Sequence, residues 1–184
     1  RPDMCGIFGF ADWRHPLPPV EQLARATNLL RHRGPDGGAY WTEDGCFLGH
    51  RRLAIIDLST GDQPMVSRDH RYVLTYNGEI YNYPELRDEL RARGGVFTTT
   101  SDTEVVVEGY RLLGPEIVAR LEGMFAFAIF DRSAKTLFLA RDRFGEKPLL
   151  IADQPGRLAF ASELSPLAAI GAGERAIDVE IGRA

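Results

Sequence analysis

Apolar runs rich in Phe, Ile, Val and Tyr recur along the chain, at Cys5 to Ala11, Cys46 to Leu58, Tyr72 to Tyr76, Met124 to Asp131, Thr136 to Arg141 and Leu158 to Ser162. Such residues suit a pleated, half-buried surface, so each run reads as a strand. Two of them stand a hairpin's length apart, joined by Asp131-Arg132-Ser133-Ala134-Lys135. Between the runs lie helical signals. Val20 to Arg31 follows Pro18-Pro19, carries Val20, Leu23, Ala24 and Leu30 among polar residues, and stops at Gly34-Pro35. A second helix opens at Pro84, sets Leu86 and Leu90 four apart, and ends at Gly94-Gly95. A third starts at Ser101-Asp102-Thr103-Glu104, the S-x-x-E form of a capping box, and runs to Leu113; Pro115 to Leu121 reads as a short fourth. Hairpin-like strands with helices inserted in pairs predict an α+β layered domain with antiparallel sheets rather than βαβ alternation.

The chain has 184 residues and is 44% hydrophobic, enough for one substantial core. Its 22 basic and 26 acidic residues leave a net charge of -4, which offers no broad cationic surface to a phosphate backbone and argues against a nucleic-acid partner. No apolar run reaches the roughly 20 residues that span a bilayer. The N-terminal stretch, with Arg1, Asp3, Asp12 and Arg14, lacks the apolar segment of a signal peptide, so no membrane association and a cytoplasmic location are expected. Two cysteines, Cys5 and Cys46, are too few for a disulfide framework and lack companions for structural zinc; both are expected to be reduced thiols. The tail from Gly171 onward begins small and polar and is expected to be loosely held.

Cys5 lies in Met4-Cys5-Gly6-Ile7-Phe8-Gly9-Phe10. A cysteine in an apolar run is ordinarily an inert small hydrophobe. None of the histidines at 15, 32, 50 and 70 sits in a cysteine-protease signature, so no side-chain base for a catalytic thiol is apparent. An α-amine on the same residue would serve, since its ordinary pKa of about 7.7 to 8.0 lies near working pH. That option requires Cys5 to be the first residue of the mature chain.

Other stretches each admit a plain and a functional reading. Arg31-His32-Arg33-Gly34-Pro35-Asp36-Gly37-Gly38 places positive charge at a helix C-terminus, which the dipole favours. In Gly49-His50-Arg51-Arg52-Leu53 an arginine pair leads into an apolar run, and a strand-end arginine can clamp a carboxylate. Asn77-Gly78, within Tyr76 to Asn82, is a hairpin dipeptide; alternatively its amide and its unencumbered backbone N–H form an oxyanion hole. Asp102 caps a helix and can also offer a free oxygen to an ammonium group.

The ordered set MCGIFGF, RHRGPDGG, GHRRLAIIDLSTGDQPM, YNGEIYN, SDTEVV, LEGMFAFAIFD, RDRFGEKPL and ASEL resembles the N-terminal glutaminase domain of glutamine-hydrolysing asparagine synthetases, from Cys5 to about Ala169. The resemblance implies an Ntn-hydrolase fold, a four-layer αββα sandwich, in which Cys5 is the nucleophile and its own α-amine the general base. L-Glutamine would yield glutamate and ammonia through a γ-glutamyl thioester. Arg52, opening RLAII, matches the clamp for the substrate α-carboxylate, and Leu53, Ala54, Ile55 and Ile56 extend that substrate-binding segment. Asn77 and Gly78 match the oxyanion pair, and Glu79 and Asp102 match the carboxylates around the α-ammonium. No cofactor is implied in this domain. ATP and magnesium belong to a synthetase domain or subunit that receives the ammonia, whose SGGLDS-like loop does not occur in these residues. RDRFGEKPL reads as a surface facing that partner or as an ordinary sheet edge with its turn, and a homodimer is one assembly the resemblance allows.

Residues 1 to 4 are expected to be a leader, tag or propeptide remnant, residues 5 to 170 the amidotransferase domain, and 171 to 184 a tail toward the synthetase. With Arg1 to Met4 in place the Cys5 nitrogen is an amide and not a base. Met4 as initiator, cleavage of a short propeptide, and a terminus that is never exposed are the three alternatives. The last would leave a non-catalytic domain that binds glutamine or a partner; a glutaminase subunit serving a different acceptor is the other competing reading.

Overall fold

A computed structural model describes residues 4–43, 45–53 and 62–172. The elements run β1 (Gly6–Asp12), α1 (Val20–Asn28), β2 (Gly37–Glu43), β3 (Cys46–Arg52), β4 (Met65–Val66), β5 (Tyr72–Ile80), α2 (Tyr83–Ala92), α3 (Asp102–Leu113), a 3₁₀ helix (Gly114–Arg120), β6 (Gly123–Asp131), β7 (Thr136–Arg141), β8 (Leu150–Gln154), β9 (Arg157–Ala161) and α4 (Leu164–Ala169). Two sheets form, in the orders β2-β3-β1-β9-β8 and β4-β5-β6-β7, and every strand pair is antiparallel.

Strand alternation dictates the layering. In β1, Phe8 and Phe10 turn outward and pack with Leu23, Ala26 and Leu30 of the α1 region and Leu167 of α4. Ile7 and Ala11 turn inward and meet Cys46 and Leu48 of β3, Val73 of β5, Ala126, Ala128 and Phe130 of β6, and Phe160 of β9. On the far side, Leu74 and Tyr76 of β5 and Phe125, Phe127 and Ile129 of β6 pack on Leu86 and Leu90 of α2 and Val105, Val106 and Val107 of α3. The result is the αββα four-layer sandwich, with three apolar interlayers instead of one central core. No helix among the described residues is long and apolar enough to cross a membrane.

Several local readings are corrected. Asn77-Gly78 makes no hairpin turn: it lies inside β5, paired with Ala126 and Phe125. The strand signals around it outweigh the dipeptide's turn preference because β5 is sandwiched between β4 and β6. Helix α1 ends at Asn28 and continues as turns to Arg33, although Leu30 is still buried. At α3, Ser101 Oγ accepts from Thr103 N at 3.1 Å, but Glu104 does not reach back to the cap. Its carboxylate instead accepts from Thr98 N and Thr99 N at 2.8 and 2.7 Å, tying down the preceding loop. Strands β2, β4 and β8 and helix α4 lacked a strong apolar signal because they lie at sheet edges or on the surface. Strand β3 ends at Arg52; the apolar run from Ala54 to Leu58, with Ile55 and Ile56 in it, lies outside the described residues, as does most of the tail.

Candidate active site

The inward face that carries Ile7, Leu48, Val73 and Ala126 changes character at one end. Continuing each strand by its period of two brings Cys5 before β1, His50 and Arg52 on β3, Asn77 and Glu79 on β5, and Met124 on β6 to the same interlayer. These residues line a cavity of about 180 Å³. That is well below the roughly 300–1,000 Å³ of sites for drug-sized ligands, and suits a small, polar guest. Asp102, at the start of α3, and Lys147, in the loop after β7, close its sides, with Leu53, Gln63 and Tyr76 among the remaining lining residues.

Cys5 is fixed at both ends. Its Sγ accepts from Leu53 N at 3.4 Å, and its carbonyl accepts from Arg33 Nε at 3.1 Å. Arg33 in turn donates from Nη1 to Glu163 Oε1 at 3.1 Å, so the RHRG turn holds the backbone of the cysteine rather than its thiol. Burial pushes the Cys5 thiol above its ordinary pKa; the Leu53 backbone and the charges of Arg52 and Lys147 oppose that rise, and Asp102 adds to it. The imidazole in the cavity is no help to it. His50 is 2% exposed, and burial, assisted by Arg52 and Arg51 against a bond to the Tyr76 backbone, holds its pKa at about 3. At neutral pH such an imidazole is uncharged and too weak a base to take a thiol proton.

The polar wall opposite is incompletely satisfied. Asn77 is 1% exposed, and its Nδ2 has no hydrogen-bond partner among the described residues. Next to it, a Cβ on Gly78 would stand 2.4 Å from the Met124 carbonyl oxygen, so only glycine fits that position on the cavity wall. Asp102 Oδ2 accepts from Tyr76 Oη at 2.7 Å and Ile80 N at 3.0 Å, leaving Oδ1 without a bond among the described residues. Burial, followed by the neighbouring Asp102 charge, drives the Tyr76 hydroxyl well above its ordinary pKa, so it stays a proton donor to that carboxylate. Arg52 donates to Asp62 Oδ1 at 2.8 Å, a partner that is 93% exposed and therefore weakly bound.

Cys5, Arg52, Leu53, Asn77, Gly78, Glu79 and Asp102 are thus brought together around one cavity. His50, Gln63, Tyr76 and Lys147 were not singled out from sequence. Counting in twos from Leu48 would have found His50. Gln63, whose Oε1 accepts from Tyr76 N at 2.6 Å, follows a segment with no regular period. Lys147 sits in a stretch that read as surface.

Residues 4–181 match the family model described as a glutamine amidotransferase domain. A putative glutamine-hydrolysing asparagine synthetase of Mycobacterium tuberculosis is 45% identical over 176 residues, covering 87% of this chain and 27% of the relative. Asparagine synthetase 3 of Bacillus subtilis is 42% identical over 169 residues, 90% of this chain and 28% of the relative. Asparagine synthetase B of Escherichia coli is 40% identical over 166 residues, 89% of this chain and 30% of the relative. The chain therefore spans less than a third of the length of these relatives. Among solved structures, the glutamine phosphoribosylpyrophosphate amidotransferase of B. subtilis superposes with a TM-score of 0.68 at 25% identity, covering 91% of this chain and 44% of that one. A structure described as the allosteric regulatory enzyme of purine biosynthesis superposes with a TM-score of 0.72 at 26% identity and the same coverage. The four-layer sandwich is shared with these two structures.

Proposed function

Because this chain belongs to the glutamine amidotransferase domain family, we propose that it hydrolyses the side-chain amide of L-glutamine at Cys5. The ammonia then serves an ATP-dependent synthetase that converts aspartate to asparagine. The observation that carries the reading is the Asn77 amide nitrogen, buried without a partner among the described residues on the wall of the cavity that holds the cysteine. A buried donor left unpaired is costly, and is accounted for if the missing acceptor is the oxyanion of a tetrahedral intermediate.

The geometry supports a full set of roles. The α-carboxylate of glutamine takes the place of exposed Asp62 on Arg52, and its α-ammonium meets Oδ1 of Asp102 and the Glu79 carboxylate. This binding aims the side-chain amide at Cys5. The thiolate attacks the amide carbon, and the carbonyl oxygen becomes an oxyanion held by Asn77 Nδ2 and the Gly78 backbone. Collapse, with a proton delivered to the nitrogen, releases ammonia and leaves a thioester; water then hydrolyses it to glutamate. His50 being too weak a base, the proton carrier is the Cys5 α-amine, which exists only once Arg1 to Met4 are gone. This step draws on no cofactor; ATP and magnesium act in the synthetase portion.

The test is ammonia release from glutamine by a chain beginning at Cys5, beside the chain beginning at Arg1. Release by the trimmed form alone is expected. Tight glutamine binding without ammonia from a correctly folded trimmed chain would show a binding domain instead.

A further inference from the structure

We propose that Lys147 is an electrostatic positioning residue for the Cys5 thiolate, a cation built into the cavity by the loop after β7. The inference rests on the glutaminase reading for its purpose, but its observations are separate. Lys147 is 6% exposed, lines the cavity with Cys5, and makes no ion pair or side-chain hydrogen bond among the described residues. The side chain is largely buried and sets its cation against the cavity, a place where surface lysines do not end up by default.

The loop is constructed to hold it there. The Asp142 carboxylate accepts from the backbone N–H groups of Phe144, Glu146 and Lys147 at 3.1, 2.9 and 3.0 Å, and also from Phe125 N at 3.2 Å on the neighbouring strand. Arg141 Nε donates to the Lys147 carbonyl at 2.8 Å. Gly145 turns the chain at φ 68°, where a Cβ would meet the Arg141 guanidinium at 2.6 Å. Lys147 is therefore pinned through both its backbone N–H and its carbonyl, while its ammonium has no ion pair or hydrogen bond among the described residues.

The charges around Cys5 show what that ammonium does. Arg52 on β3 and Lys147 favour the thiolate, Asp102 on α3 opposes it, and His50 is neutral. Around Lys147, burial and then Arg33 disfavour its own charge, whereas Cys5, Glu79 and Glu146 favour it. Arg52 is already shared with Asp62 and faces the substrate carboxylate in the proposed complex. Lys147 is then the cation left to offset the desolvation of the thiolate.

The test reads the thiol directly, without glutamine, in the full chain: the pH dependence of Cys5 alkylation by iodoacetamide, followed at the Cys5 peptide by mass. Lys147→Met is expected to slow alkylation at pH 7.5 by roughly three- to tenfold and to move the rising limb to higher pH, each tenfold corresponding to one pH unit. Lys147→Arg should restore most of the rate. Since the ammonium makes no ion pair or hydrogen bond among the described residues, Lys147→Met should melt no lower than the parent. Profiles that superimpose would overturn the assignment. So would failure of both Lys147→Met and a second neutral variant, Lys147→Gln, to fold, because the side chain would then be structural. A chain beginning at Cys5 that shows the Lys147-dependent profile yet releases no ammonia would sink the glutaminase reading and leave this one standing.

Discussion

Strand β1 joins two unlike ends of the molecule. At the far end, past Ala11, lies a wider cleft of about 430 Å³ lined by Asp12, Trp13, Arg14, His15 and Lys135 among others. Several of its polar groups already have partners. Asp12 Oδ1 accepts from Arg14 N and His15 N at 2.9 and 2.8 Å, Trp13 Nε1 donates to the Lys135 carbonyl at 2.8 Å, and Lys135 Nζ donates to Glu43 at 2.9 Å. At the Cys5 end the cavity is smaller, yet three of the four buried polar side-chain atoms without a partner among the described residues gather there: Arg33 Nη2, His50 Nε2 and Asn77 Nδ2. Volume alone would favour the far end. Buried polar groups without partners among the described residues set the Cys5 end apart, because a fold with no use for them would ordinarily have paired or exposed them.

The two cysteines sharpen the contrast. Cys46, at the far end of β3, is 0% exposed in the apolar interlayer, and burial drives its thiol far above the ordinary pKa. Cys5 suffers the same desolvation, but with Arg52, Lys147 and a backbone N–H to offset it. In a chain beginning at residue 5, Cys5→Ala should cut ammonia release by at least about 10³-fold, as loss of a covalent nucleophile does. Cys46→Ala should leave the rate within about twofold and cost about 1 kcal/mol of stability, the order for deleting a small buried group. Equal turnover by the two variants, in an ammonia assay run side by side, would erase the distinction.

Next in size is Asn77→Ala, expected to lower kcat by about 10²- to 10³-fold with little change in glutamine KM, as when one oxyanion donor is removed. The matching change at the other end, Trp13→Ala, should leave kcat alone and register only in melting temperature. If Asn77→Ala raised KM and spared kcat, the amide would be binding the ground state and the oxyanion assignment would fall.

Much of this contrast was legible before the fold was known. The layered α+β class followed from apolar runs and paired helices, and residues that share strand parity, such as Arg52, Asn77 and Glu79, fell on one wall once the strands were aligned. What was hidden depends on tertiary context. Asn77-Gly78 read equally as a turn because only its neighbours β4 and β6 reveal that β5 is central. Lys147 read as surface because its burial comes from Asp142 and Arg141 folding the loop inward, a set of backbone bonds with no hydrophobic signature.

The smallest effect compares the two aspartates that organise the ends. Asp142 accepts four backbone N–H groups around the Lys147 loop, and Asp12 accepts two around the far turn. Burial alone would raise both carboxyls, but these N–H donors, with His15 helping at Asp12, hold each below its ordinary pKa. A depressed folded-state value means stability that is complete above the unfolded-state pKa of about 3.9 and drains away as pH falls through the folded value. At pH 7, Asp142→Asn should therefore cost about 2–3 kcal/mol and Asp12→Asn about 1, since an amide turns one acceptor into a donor facing N–H groups. Only the first should also slow ammonia release, by loosening the loop that carries Lys147. Both gaps to the parent should narrow in denaturant titrations repeated near pH 3. A gap that stayed constant with pH would mean that the asparagines disturb packing rather than charge-assisted bonding. Equal costs at the two ends would mean that the Lys147 loop is no more deliberately built than an ordinary turn.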